Sequence, residues 1–434
     1  MRVGLISFGG PAGQIAVMHR ILVDEKRWIG EERFLHALNY CMLLPGPEAQ
    51  QLATYIGWLL HGTRGGLVAG TLFVLPGFIA IMALSFIYVL SGAHPLVAGV
   101  FLGLKGAVIA LIVQALLRIA RRALKTPVAR VLALLAFAAL IARVPFPLLI
   151  VAAGLFGYVW TRGNRADFRA GSATNVALHE THDTDAGAQV RPSAARALKL
   201  LALWLPLWFA PVAAIVVASD AHSVLAQLGF FFSKMAVVTF GGAYAVLSYV
   251  AQQAVERYSW VTPVQMLDGL GLAESTPGPL ILVVQFVGFL AAYQAAGDTH
   301  PLLAGVAGAA LTVWVTFVPS FLWIFLGAPY IERLRANTAL SGALSAITAA
   351  VVGVIANVAL WFTLHALFTT LAPVEIFAGH KIDLPVLDSL RLVPALLTML
   401  ALALIFPLRQ GLARTLGICA AAGIATTALG FAGY

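Results

Sequence analysis

Leu43-Leu44-Pro45-Gly46-Pro47 decides the reading of this chain because it has a second copy, Ser275-Thr276-Pro277-Gly278-Pro279, at a shift of 279 − 47 = 232. The same shift carries Phe8-Gly9-Gly10 onto Phe240-Gly241-Gly242, Trp28 onto Trp260, and Asp24 onto Glu256. Leu35 and Leu38 fall on Leu267 and Leu270 without a gap. Three spaced signatures repeating in register point to an internal duplication. Both motifs break helices, since proline lacks the amide hydrogen and glycine tolerates the bend that follows. In hydrocarbon such a break must be buried in protein or line a wet cavity. Matched broken helices in two halves are the sequence mark of a transporter's binding site. The plainer reading, that the breaks only fit two helices together, accounts poorly for four breaks at matched positions.

Composition fixes the class. Hydrophobic residues make up 61% of the 434 and charged residues 10%, with a mean hydropathy of +0.92. A soluble domain carries about 25% charge, so the chain reads as an all-α polytopic membrane protein. Its formal charge of +9 sits between apolar segments, where cytoplasmic loops concentrate Lys and Arg, so the partner is the lipid bilayer and not nucleic acid. Cys41 and Cys419 lie in apolar stretches and offer neither a disulfide framework nor metal-ligand spacing. No metal or cofactor is expected, and no cleavable signal peptide is read before the first apolar run.

Taken in order, the apolar runs number thirteen, six before a polar stretch and seven after it. Residues 1–160 form an N-terminal repeat, 161–196 a cytoplasmic polar linker, and 197–434 a C-terminal repeat with one extra leading segment, Leu198 to Ala218. The first helix is expected to be short, because only seven residues precede Phe8 whereas a run from Val224 leads up to Phe240. His179-Glu180-Thr181-His182-Asp183 in the linker suggests metal ligands, but a solvated linker is the better reading. If the Pro-Gly-Pro segments cross the membrane, Arg121, Arg333, Arg335, Arg409 and Arg414 all fall inside, while Glu375, Asp383 and the C-terminus fall outside. The positive-inside rule favours that arrangement, and the extra segment then makes the repeats inverted.

Free amides and a positive dipole at the start of each broken half-helix suit an oxyanion. The candidate binding residues are therefore Gly9, Gly10, Pro11, Pro45, Gly46, Pro47 and Gln51 in the first half, and Gly241, Gly242, Pro277, Gly278 and Pro279 in the second. Lys105, deep in an apolar segment, could supply positive charge; Lys234 fits a side chain snorkelling to the interface equally well. Glu48 and Glu274 flank the two Pro-Gly-Pro motifs and are candidates for carrying a proton, the bland alternative being carboxylates neutralised by a nearby base. Glu274 matches Met42 across the repeat, so the halves are not equivalent.

Phe8-Gly9-Gly10-Pro11, the run Leu43 to Gln51 with Tyr55-Ile56-Gly57, and Leu75-Pro76-Gly77 resemble the chromate ion transporter family. Thr239 to Tyr244 and Ser275 to Pro279 stand where its two-domain, long-chain members carry them. The resemblance implies a multi-pass inner-membrane protein of about thirteen crossings that exports chromate on the membrane potential or proton gradient and confers chromate resistance. Chromate is a tetrahedral dianion shaped like sulfate, so sulfate or another oxyanion is the second reading. Proton coupling and self-association stay open. An intramembrane enzyme lacks support in HExxH, Gly-x-Ser-x-Gly or a His/Cys cluster, and a channel fits matched inverted halves less well than a carrier.

Overall fold

Proline and glycine set the element boundaries. The computed structural model describes residues 2–7, 10–92, 94–163, 193–220, 222–238, 240, 243–328, 337–377 and 380–431. The first repeat opens with α1 (Arg2–Ile6) and α2 (Gly10–His19), passes through a π-helical turn at Arg20–Glu25, and continues as α3 (Glu31–Cys41). The Pro45-Gly46-Pro47 turn follows, with Gly46 at φ +117°, and leads into α4 (Glu48–Ser91). Two apolar segments of the sequence are joined in α4 across a kink at His61 and Gly62. Then come α5 (Pro95–Ala123), α6 (Pro127–Ile141) and α7 (Phe146–Arg162). Pro95 and Pro127 each start a helix, where the missing amide costs nothing, and the Ala129 amide donates to the Thr126 hydroxyl as an N-cap.

Helix α8 (Ala194–Ala218) stands between the repeats. The second repeat comprises α9 (Val224–Val238), α10 (Ala243–Gln252), a π-helical turn at Gln253–Arg257, and α11 (Pro263–Ser275). After the second Pro-Gly-Pro turn, with Gly278 at φ +106°, follow α12 (Val283–Gln294), α13 (Pro301–Gly327), α14 (Thr338–Leu367), α15 (Leu392–Ile405) and α16 (Leu412–Ala428). Helix α7 ends and α8 begins slightly inside the expected linker limits; His179 to Asp183 lie outside the described residues. One feature was not foreseen in an all-α reading: a hairpin of β1 (Leu371–Phe377) and β2 (His380–Pro385) connects α14 to α15.

The duplication is visible in backbone detail. Two residues after each π-helical turn stands a residue at φ 50°, Arg27 and Ser259, one repeat apart in sequence. The Trp28 amide donates to Leu22 O at 2.8 Å, and the Trp260 amide to Ala254 O at 2.7 Å. Further along, the shift widens. Pro76 in α4 matches Pro319 in α13 at 319 − 76 = 243, which also lays α5 on α14. Arg143 (φ 60°) matches Arg409 (φ 49°) at 409 − 143 = 266, which lays α7 on α16.

The two repeats are interlocked. Helix α5 packs on the second repeat's α15–α16 hairpin, and α14 on the first repeat's α6–α7 hairpin. Glycine makes these contacts close: a Cβ on Gly99 would stand 3.0 Å from Gly423 O, and one on Gly157 3.0 Å from Ala343 Cα. Lipid gives helices no hydrophobic reason to associate, so such backbone approach through small residues is what holds them. Helices α11 and α12 are buried along nearly their whole length, including Asp268 and Glu274 of α11, and form the centre.

Around them, Leu134, Leu155, Leu203, Val217 and Met399 are more than half exposed, an outer apolar surface that water would penalise and acyl chains would not. Among the described residues, five helices (α4, α5, α8, α13 and α14) are long and apolar enough to cross a membrane, and the other apolar helices have 10–17 residues. The chain is a multi-pass membrane protein.

Candidate functional site

The breaks of one repeat rest on those of the other. The Gly278 amide donates to Ser7 O at 3.0 Å, and Gln14 Nε2 donates to Gly278 O at 2.5 Å. The second Pro-Gly-Pro turn also packs on α4, where a Cβ on Gly77 would come within 2.7 Å of Pro277 O. Its counterpart Ser320, on α13, lies beside Gly46 of the first turn. Each Pro-Gly-Pro turn is thus held by the following long helix of the opposite repeat.

Beside this junction opens a cavity of about 930 Å³. Pro11 and Glu48 reach it from the first repeat's breaks, and Tyr244 and Glu274 from the second's. Tyr244 OH donates to Glu274 Oε1 at 2.6 Å, and Gly10, at φ 72°, lies next to the same hydroxyl. Glu48 is the first residue of α4, with Pro47 as a cap that offers no side-chain acceptor, so the helix presents its leading end close to the cavity.

Three basic side chains complete the lining: Arg118 and Arg122 from the last turns of α5, and Lys125 just beyond. Arg118 is electrostatically coupled to both Glu274 and Tyr244. A guanidinium offers a planar pair of donors that fits two oxygens of an oxyanion, and its charge survives at any physiological pH. The site therefore combines three basic side chains with two carboxylates, Glu48 and Glu274.

The expected residues divide by position. Pro11, Glu48 and Glu274 line the cavity, and Gly10 sits at its edge. Gln51 is buried and closes the first turn, its Nε2 donating to Pro45 O at 2.7 Å. Pro277, Gly278 and Pro279 form the junction with α4, as described above. Gly9, Gly241 and Gly242 lie outside the described residues. Lys105 is partnered elsewhere: its Nζ stands 3.2 Å from Asp268 Oδ1 in α11, and Tyr88 OH donates to Asp268 Oδ2 at 3.1 Å. Lys234 is exposed on α9.

A sequence model of the chromate transporter family matches residues 1–158 and 226–427, which is most of the chain and both repeats. The chain belongs to the chromate transporter family. It is 36% identical to the chromate transport protein of Pseudomonas aeruginosa over 358 residues, 82% of this chain and 77% of that protein. It is 28% identical to the chromate transport protein of Cupriavidus metallidurans over 357 residues, 82% of this chain and 79% of that one. A probable chromate transport protein of Synechococcus elongatus is also 28% identical, over 82% of this chain and 81% of its own length. No solved structure matches the chain.

Two groups escaped the sequence reading. Arg118, Arg122 and Lys125 look like an ordinary cytoplasmic basic loop, and only the fold turns them into the wall of a cavity. Asp268 falls on His36 across the repeat, so the duplication gave it no matching acid. Its cue was present all the same, as a lone carboxylate in the apolar run Met266 to Ala273.

Proposed function

We propose that this chain is a secondary carrier that moves chromate out of the cytoplasm across the inner membrane, and so confers chromate resistance. The observation that carries the reading is the basic cavity at the meeting point of the broken helices, in a chain of the chromate transporter family. Arg118 and Arg122 attract the dianion, and the half-helix start at Glu48 adds the positive end of a dipole. Pro45-Gly46-Pro47 and Pro277-Gly278-Pro279 shape the passage, with Gly10 at its edge. Because the basic end of α5 belongs on the cytoplasmic side, the cavity faces the cytoplasm and loads substrate there.

Glu274 is the proton carrier in this scheme, with Glu48 as the alternative. Bound dianion repels a neighbouring carboxylate, which favours its protonated form and ties a proton to the anion's passage. Sulfate has the same shape and charge and is the competing cargo.

Inverted membrane vesicles loaded through their cytoplasmic face test the reading. Labelled chromate should accumulate with saturation, sulfate should compete, and an uncoupler should collapse the accumulation. Vesicles that take up no more chromate than those lacking the protein would overturn it, and accumulation of sulfate alone would transfer the role to the second anion.

A further inference from the structure

A second, smaller cavity of about 130 Å³ lies between the α6–α7 turn, α10 and the late part of α14. Part of its wall repeats that of the large cavity. With the shifts of 232, 243 and 266 residues established by the backbone, Ala16 maps onto Ser248, Gln114 onto Asn357, and Ala115 onto Val358. Arg118 maps onto Trp361, Arg122 onto His365, and Leu412 is the match of Phe146. All six positions line the large cavity on one side of the correspondence and the small one on the other. Two unrelated crevices would not share their walls position by position.

The two cavities lie toward opposite ends of one long helix. In α14, Leu344 to Thr348 face the large cavity and Asn357 to His365 the small one. At about 1.5 Å of rise per residue those groups are roughly 13 Å apart along a helix long enough to cross the bilayer. The large cavity also brings the late half of α5 against the early half of α14, so the matched helices run in opposite senses there. The large cavity carries the basic end of α5, whereas the small one abuts the β-hairpin, with Leu371 and Asp383 in its wall.

We propose that the small cavity is the outward doorway for the transported oxyanion, narrow in this structure while its larger counterpart is wide and faces the cytoplasm. The proposal rests on the carrier reading above. In the alternate state the two exchange roles, the β-hairpin lifting from the outer cavity as the inner one narrows. The walls are matched in place but not in charge. Where the inner cavity has Arg118 and Arg122, the outer one has Trp361 and His365, and it adds Arg143, Glu256 and Asp383. Both cavities hold two carboxylates, but the inner one sets Arg118, Arg122 and Lys125 against Glu48 and Glu274, whereas the outer one sets Arg143 alone against Glu256 and Asp383, so a dianion is attracted more strongly inside. The anion is therefore bound more tightly at the inner face than at the outer one, while the gradient that drives the cycle sets the net direction.

Side-specific thiol labelling tests this without any need for chromate. Cys41 and Cys419 are both buried, and with both replaced by alanine a single cysteine is placed at Gln114→Cys or Asn357→Cys. A membrane-impermeant thiol reagent is applied to intact cells or to inverted vesicles. Gln114→Cys should react only from the cytoplasmic face and Asn357→Cys only from the outer face. Reaction of Asn357→Cys from the cytoplasmic face, or from neither face while Gln114→Cys reacts, overturns the proposal. A second variant, Ser248→Trp, fills the small cavity. It should cut chromate exchange more than tenfold while the purified protein still binds labelled chromate, and exchange at the wild-type rate would count against the doorway. If the cargo is not chromate, the exchange assay is silent in every variant but the labelling pattern stands, so the two readings fail separately.

Discussion

The Tyr244 hydroxyl donates a 2.6 Å hydrogen bond to Glu274, joining the start of α10 to the last turn of α11 at the wall of the basic cavity. A carboxylate in this position is held in one orientation, with Arg118 in the same cavity wall. Replacing Glu274 with Gln keeps a hydrogen-bonding partner for Tyr244 and fixes the side chain in a form like the protonated acid. Glu274→Gln should bind and exchange chromate yet lose its acceleration by a pH gradient. Full gradient-driven efflux in that variant would place the proton path elsewhere, with Glu48→Gln the next to measure.

Arg118 is the cation in the cavity that also acts on Glu274. Arg118→Gln should raise the KM for chromate by about tenfold or more, equivalent to about 1.4 kcal/mol or more of lost attraction. Arg118→Lys keeps the charge without the planar pair of donors and should fall between. The measurement is initial uptake against chromate concentration in inverted vesicles. A wild-type KM in the Gln variant would remove Arg118 from the anion's path.

Lys105 and Asp268 form a buried pair, and removing one partner strands the other charge. Lys105→Met alone should cost about 3–5 kcal/mol of stability, and the double change Lys105→Met with Asp268→Leu should recover most of it. Thermal unfolding in detergent reads the stability, and vesicle uptake reads the function. A stable double variant that transports normally makes the pair structural. A stable double variant without transport would return Lys105 to the anion.

Gly77 has no room for a side chain where α4 meets the second Pro-Gly-Pro turn, since an added Cβ meets Pro277 O at 2.7 Å and Gly278 Cα at 3.3 Å. Overpacking of this kind typically costs about 1–3 kcal/mol. Gly77→Val should lower thermal stability and slow transport, while a change at Gly417, where an added Cβ meets nothing within 4 Å, should do neither. Equal behaviour of the two variants would show that the junction tolerates movement.

Much of the architecture was legible because proline and glycine act locally. Pro45-Gly46-Pro47 and Pro277-Gly278-Pro279 dictate turns wherever they occur, and their spacing revealed the repeat before any contact was known. The interlocking of the repeats was not legible, because Gly99 against Gly423 and Gly157 against Ala343 are contacts between distant segments that no local pattern encodes. The site was half legible for the same reason. Glu48, Glu274 and Pro11 announce themselves beside the breaks, while Arg118 reads as one loop arginine among several until α5 places it in the same cavity wall as Glu274. The β-hairpin at Leu371–Pro385 escaped notice because Pro373 and Asp383 interrupt any strand pattern.

Counterflow in proteoliposomes tests the central claim most directly. Purified protein is reconstituted into liposomes loaded with unlabelled chromate, and labelled chromate is supplied at trace concentration outside. A carrier with its oxyanion site in the basic cavity predicts a transient accumulation of label above the outside concentration, strongly reduced in Arg118→Gln and reduced by external sulfate. Label that only equilibrates would mean a channel, and label that does not enter beyond empty liposomes would contradict chromate transport by this chain.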